Sequence, residues 1–237
     1  MASEPEPTVG PTGPQPPGFA FKWRDGLMLG ALLVIVALIA VLLIHGRAKP
    51  NVLGEATSSA SGPYEGLTLS PRPEPPLVLH NYLGNVVNIK SFRGKAVLVT
   101  FLYTHCPQAC PLIASNLHTA LAEMKPAERR EVQIIAVSVD PRGDTPATVA
   151  AFVHDHGLTG KMDYLIGNAR QLGATWAAWG VGAQREAGDP ALVSHSALIY
   201  GITGKGKILT VYQDTDYPSV IVHDVPRLRA SVPGPAT

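Results

Sequence analysis

Two continuous β-branched runs punctuate the chain. Residues 95–102 read Lys-Ala-Val-Leu-Val-Thr-Phe-Leu, and residues 132–139 read Val-Gln-Ile-Ile-Ala-Val-Ser-Val. Neither alternates apolar with polar, so both predict strands buried on two faces. Between them, Ile113, Leu117 and Leu121 recur at four-residue spacing over residues 112–125, with Met124 on the same side. That pattern predicts an amphipathic helix, and the unit becomes β-α-β with a parallel sheet.

Further along, Thr145-Pro146 opens a second predicted helix, with Ala150, Phe152 and Val153 along it. Asp163 to Ile166 predicts a short strand, and Asn168 to Ala178 a third helix. The runs 197–202 and 207–212 flank Thr203-Gly204-Lys205-Gly206, a strong hairpin signal. Residues 219–229 predict a last helix. Upstream, residues 77–79 and 86–89 flank Leu83-Gly84-Asn85 and predict another hairpin. This order is that of an α/β, thioredoxin-like fold with an N-terminal β-hairpin and one inserted element.

The N-terminal part follows different rules. Residues 1–18 hold six prolines, three glycines and two glutamates, and the first 25 residues are expected to be a disordered tail. Residues 26–44 contain no charge and no hydrogen-bonding side chain. As a helix at ~1.5 Å per residue they cover about 28 Å, near the hydrocarbon thickness, and predict a single transmembrane helix. The run is too long for the core of a cleaved signal peptide and is followed by no small-residue cleavage site. Lys22 and Arg24 precede it and Arg47 and Lys49 follow it, so the flanking charges do not orient it. Residues 45–75 are expected to be a flexible tether, 76–230 the folded domain and 231–237 a loose tail.

Composition narrows the function classes. The 237 residues are 46% hydrophobic and 16% charged, with a formal net charge of +1, so nucleic-acid binding has no electrostatic support. Two cysteines exclude a disulfide-dense miniprotein and an all-cysteine zinc module.

Both cysteines lie in Thr104-His105-Cys106-Pro107-Gln108-Ala109-Cys110-Pro111, the turn from the first central strand into its helix. Sites in open α/β sheets collect beyond the carboxyl ends of the strands. The helix N-terminus lowers a nearby thiol pKa, and the thiolate is both nucleophile and metal ligand. Pro111 argues that the helix begins near Cys110, with Cys106 in the preceding loop. An inert disulfide is the bland alternative, but so short a loop stabilises little. For His45, His80, His105, His118, His154, His156 and His223 a solvated or capping role is the expectation. His195, in Leu192-Val193-Ser194-His195-Ser196, precedes a strand expected beside the central one, on a loop facing the cysteine turn. Two thiolates and one imidazole suit copper(I) or zinc.

These segments resemble the SCO/SenC family of copper chaperones, for synthesis of cytochrome c oxidase. The resemblance rests on Thr100 to Pro111, on Val137-Ser138-Val139-Asp140-Pro141-Arg142-Gly143-Asp144-Thr145-Pro146, on Val193-Ser194-His195-Ser196 and on the lead-in from Gly84 to Lys95. It implies copper as the bound ion and Cys106, Cys110 and His195 as the ligands. It also implies a domain tethered to the inner (plasma) membrane on the periplasmic side, with subunit II of cytochrome c oxidase as partner, and another copper chaperone or a thiol reductase alongside. Ser194, Gln108 and His80-Asn81 depart from acidic residues common in the family. For Asp140 the expectation is a turn or capping role.

Two functions follow. One is a metallochaperone, not an enzyme, that delivers copper to the oxidase or prepares its cysteines. The other is a thiol–disulfide oxidoreductase in which Cys106 and Cys110 form the redox-active pair. A thioredoxin-superfamily peroxidase is disfavoured, because Thr104 stands two residues before Cys106 where those enzymes place threonine three before.

Overall fold

The structure, a computed structural model, describes residues 63–185 and 193–230. The predicted tail and the 26–44 span lie outside these residues. No helix among the described residues is long and apolar enough to cross a membrane.

Strand β4 (Ala96–Leu102) is buried at all seven positions and forms the centre of the sheet. It pairs in parallel with β5 (Val132–Ser138), which pairs in parallel with β6 (Met162–Ile166). On the other side of β4 lies β9 (Leu198–Ile202), antiparallel, then β10 (Lys207–Gln213). The hairpin of β2 (Val78–Asn81) and β3 (Val86–Asn88) extends the β6 edge. These elements agree with the expectation from the hydrophobic runs.

Two parts of the sheet differ from it. The expected tether over 45–75 ends earlier than its composition suggests: Leu67–Pro73 forms β1 and pairs with β10, at the edge of an eight-stranded sheet of order β1-β10-β9-β4-β5-β6-β2-β3. Its proline content hides it, because proline is tolerated on an edge strand. A two-stranded ribbon of β7 (Ala183–Arg185) and β8 (Val193–His195) stands apart from the main sheet.

Helix α1 (Ala109–Glu123) buries Cys110, Ile113, Ala114, Leu117, Ala120 and Leu121. A single turn, α2 (Pro126–Arg130), leads into β5. Helix α3 (Pro146–Asp155) begins on a Thr145 cap whose hydroxyl accepts the Thr148 N–H. Helix α4 (Ala169–Trp179) is capped by Asn168 and ends at Gly180, whose φ of 63° is the left-handed geometry of a helix stop. Helix α5 is Pro218–Ala230. Trp179 packs against Phe101 and Tyr200 at centroid distances of 5.8 Å each, so α4 covers one sheet face. The opposite face is covered by α5, where Leu228 closes on Gly201 so tightly that a Cβ there would lie 2.9 Å from it. Alternation along β4 and β9 gives the two faces their different cores.

Candidate metal centre

Beyond β4 the chain turns sharply, and the Cys106 N–H donates to the Tyr103 carbonyl at 3.3 Å. The helix then starts at Ala109, with Cys110 as its second residue and Pro111 as its third. An N–H at that third position would have no partner within the helix, so proline costs nothing there. Gln108 precedes the helix but makes no side-chain cap. The cap is Cys106, whose sulfur accepts the Cys110 N–H at 3.3 Å.

The two thiols therefore meet different environments. Cys106 is half-buried and Cys110 is wholly buried. Cys106 is lowered to about 5, chiefly by a side-chain hydrogen bond from the Cys110 thiol, with N–H groups of Cys110 and Gln108 and the Tyr103 hydroxyl adding to it against the cost of burial. A charged sulfur among donors at a helix N-terminus is the physical cause. Cys110 is pushed far up, because its S–H keeps its proton while donating a hydrogen bond to the Cys106 sulfur and because burial penalises its charge. One proton is thus shared unequally.

His195 is the last residue of β8 and is paired across the ribbon with Ala183. Its Nδ1 lies 3.2 Å from the Ser196 carbonyl, which can only accept, so Nδ1 carries the proton. That leaves the Nε2 lone pair, which stands 3.9 Å from the Cys110 sulfur. Burial lowers the His195 pKa and favours the neutral ring, the form that ligates metals. Tyr103 packs edge-on against the imidazole at 5.8 Å, and its hydroxyl accepts the Val193 N–H at 3.3 Å. One tyrosine thus steadies both the ring and the strand that carries it. An open depression of about 360 Å³, lined by Gly182, Gln184, Ser194, His195 and Ser196, exposes this edge to solvent.

A second layer of polar groups holds the turn. Buried Asp144 accepts from the Thr104 N–H and hydroxyl, both at 2.8 Å, from the Ser138 hydroxyl at 2.6 Å and from the Tyr164 hydroxyl at 2.9 Å. Burial nevertheless raises its pKa, with the donors pulling the other way. Asp140 has the turn role expected of it: its carboxylate accepts the Arg142 N–H at 3.0 Å, and its carbonyl accepts the Asp144 N–H at 3.0 Å. Neither Tyr103 nor Asp144 stands out from the sequence as part of the site. For Tyr103 the available signal was an aromatic two positions beyond Phe101, at the carboxyl end of a buried strand.

Five other histidines have nearby partners of the bland kind, His105 among them, whose Nδ1 lies 3.3 Å from the Thr104 hydroxyl. His118 bonds the Gly157 carbonyl, His156 the Phe152 carbonyl, His154 the adjacent Asp155, and His223 the adjacent Asp224.

The Cys106 sulfur accepts the Cys110 N–H, and His195 Nε2 stands 3.9 Å from the Cys110 sulfur, so two sulfurs and one imidazole, soft donors, lie near one another. Among the described residues, no group of three or more His, Cys, Asp or Glu side chains is already arranged to hold a metal ion. The donors are gathered, with a proton still held between the sulfurs.

Residues 69–230 match the family model described as SCO1/SenC. Protein SenC of Rhodobacter capsulatus is 28% identical over 199 residues, covering 82% of this chain and 85% of its own length. The copper-bound structure of ScoI from Bradyrhizobium japonicum is similar with a TM-score of 0.56 and 28% identity, over 66% of this chain and 99% of that one. BsSco, described as a member of the Sco family of cytochrome c oxidase assembly proteins with a disulfide switch, gives a TM-score of 0.57 and 25% identity, over 68% and 96%.

Proposed function

Because the chain belongs to the SCO1/SenC family, we propose that it is a copper-binding assembly factor whose Cys106, Cys110 and His195 hold copper for the copper centre of cytochrome c oxidase. The observation that carries this reading is the 3.9 Å approach of His195 Nε2 to the Cys110 sulfur, across 85 residues of sequence. A structural disulfide would have no use for that imidazole.

In this reading each group has a task. Cys106 supplies a ready thiolate. Cys110 supplies a second once its proton leaves. The Ser196 carbonyl fixes the His195 tautomer so that Nε2 faces the sulfurs. Two thiolates and an imidazole favour copper over hard cations. The open edge at His195 lets a receiving protein approach. The 26–44 span is the proposed anchor, in the plasma membrane of the cell with the domain on the extracytoplasmic side. Subunit II of the oxidase is the proposed recipient.

A second reading, thiol–disulfide exchange, is favoured by one specific feature, the asymmetry of the thiols. The half-buried Cys106 thiolate, the more accessible of the two, would attack a partner disulfide, releasing one partner thiolate and leaving a mixed disulfide. Cys110, after losing its proton, would then attack Cys106 and release the second partner thiol. This chain ends oxidised and the partner reduced. Copper binding and this exchange are mutually exclusive at any moment, because the disulfide has no thiolate to offer.

The test is copper titration of the reduced full chain beside Cys106→Ala/Cys110→Ala and His195→Ala variants. We expect one copper per chain, lost in the double variant, with copper(II) weakened strongly in His195→Ala. Unchanged copper(II) affinity in His195→Ala would remove that residue from the ligand set.

A further inference from the structure

A cavity lies at the end of the sheet opposite the cysteine turn. It encloses about 760 Å³ and is lined where β4, β5 and β6 begin, by Lys95, Val132, Gln133, Met162 and Asp163 among others. That volume falls in the usual range of small-molecule sites. Four cations line it: Lys95, Arg129, Arg130 and Lys161. One carboxylate does, Asp163, and both its oxygens are taken, by Asn81 Nδ2 at 2.9 Å and Gln133 Nε2 at 3.0 Å.

The cations have no such partners. The ion pairs among the described residues join Arg93 to Glu74, His154 to Asp155, His223 to Glu65 and Asp224, and Arg229 to Glu131. None involves the four. Arg129 reaches only the Leu121 carbonyl at 3.5 Å, and Lys161 the Gly157 carbonyl at 2.9 Å. Like charges facing one basin within roughly a Debye length of 10 Å repel each other and raise the affinity for a multiply charged anion. Adjacent guanidinium groups present the fork that pairs with phosphate oxygens, and two ammonium groups add point charges.

We propose that this basin binds a phosphate-bearing polyanion, through Arg129 and Arg130 together with Lys95 and Lys161, which stand just before the neighbouring strands β4 and β6 on either side of β5. The site is independent of the copper reading, because none of its residues belongs to the cysteine turn or the ribbon. The same phosphate chemistry is offered by a soluble polyphosphorylated compound and by an anionic lipid headgroup.

Calorimetric titration of the full chain with inorganic tripolyphosphate tests it. The expected result is saturable one-to-one binding that weakens as salt rises, and that falls about tenfold or more in Arg129→Gln/Arg130→Gln, as loss of two charged hydrogen bonds predicts. Arg170→Gln, a cation outside the basin, should leave binding unchanged. In the unaltered chain, tripolyphosphate should protect Lys95 and Lys161 from acetylation, a readout that needs no variant. Sedimentation with phosphatidylglycerol vesicles, compared between the chain and the double variant, separates the sources: a difference there identifies a headgroup, and tripolyphosphate binding without it identifies a soluble ligand. Absence of saturable binding, equal binding by the double variant, or unprotected lysines would overturn the proposal.

Discussion

The backbone N–H of Cys110 donates to the sulfur of Cys106 at 3.3 Å, so one cysteine caps the helix that carries the other. Capping satisfies a helix donor and stabilises a thiolate in the same contact. The consequence is chemical asymmetry. Cys106 is lowered to about 5 and Cys110 is raised. A thiol lowered to that value is protonated below about pH 5 and charged above it. Alkylation of the reduced protein with iodoacetamide should therefore modify Cys106 alone, at a rate nearly constant from about pH 6 to about pH 8 and falling as pH drops through about 5. Peptide mapping reads the site. A rate that climbs tenfold per pH unit through neutrality would show an ordinary thiol.

Tyr103 joins the site to its ribbon. Tyr103→Phe keeps the ring against His195 and removes the oxygen that accepts the Val193 N–H. Val193 is buried, so its N–H is left without a partner at a cost of about 1–3 kcal/mol. The cost falls on the strand that holds His195. The expected outcome is weaker copper(II) binding together with a Cys106 alkylation profile moved to higher pH, because the same hydroxyl also stabilises the Cys106 thiolate. Equal copper(II) affinity would mean that the ribbon needs no such tie.

Much of this architecture is legible in the residues. Continuous apolar runs mark β4 and β5 because a central parallel strand has no solvent face. The cysteine turn follows directly, since the run ends where the helix pattern starts. His195 is legible by position, before a strand that must lie beside β4. Other parts are written in backbone geometry. Strand β1 reads Leu-Thr-Leu-Ser-Pro-Arg-Pro, and only its pairing with β10, interrupted between Thr68 and Arg72, makes it a strand. The Asp144 network depends on four donors from three separate segments, which no local pattern announces. The predicted membrane span at 26–44 lies outside the described residues.

Asp144 gives a pH prediction with a definite sign. Burial holds its carboxyl above the ordinary carboxylate range. The folded state therefore binds that proton more tightly than the unfolded chain does. Its contribution to stability is complete below the unfolded pKa and is lost as pH rises through the folded value. Asp144→Asn should remove this dependence, seen as a flatter denaturant midpoint against pH from about 4 upward. It should also lower stability throughout, because an amide nitrogen replaces an acceptor facing hydroxyl and N–H donors. A slope unchanged by the substitution would assign the dependence to another group.

Gly143 holds the neighbouring turn open. A Cβ there would overlap the Asp140 carboxylate and lie 3.0 Å from His105 Nδ1, beside Cys106. The carboxylate has little room to retreat, because Asp140 is buried and its other oxygen accepts the Arg142 N–H. Gly143→Ala forces one of the two side chains to move. Overpacking of this kind costs about 1–3 kcal/mol. If Asp140 yields, the turn loosens and thermal stability falls. If His105 yields, stability holds and the surroundings of Cys106 change. Thermal denaturation and the Cys106 alkylation profile, measured together on Gly143→Ala, separate the two. A variant matching the unaltered protein in both would show that the crowding at Gly143 is relieved without consequence to the site.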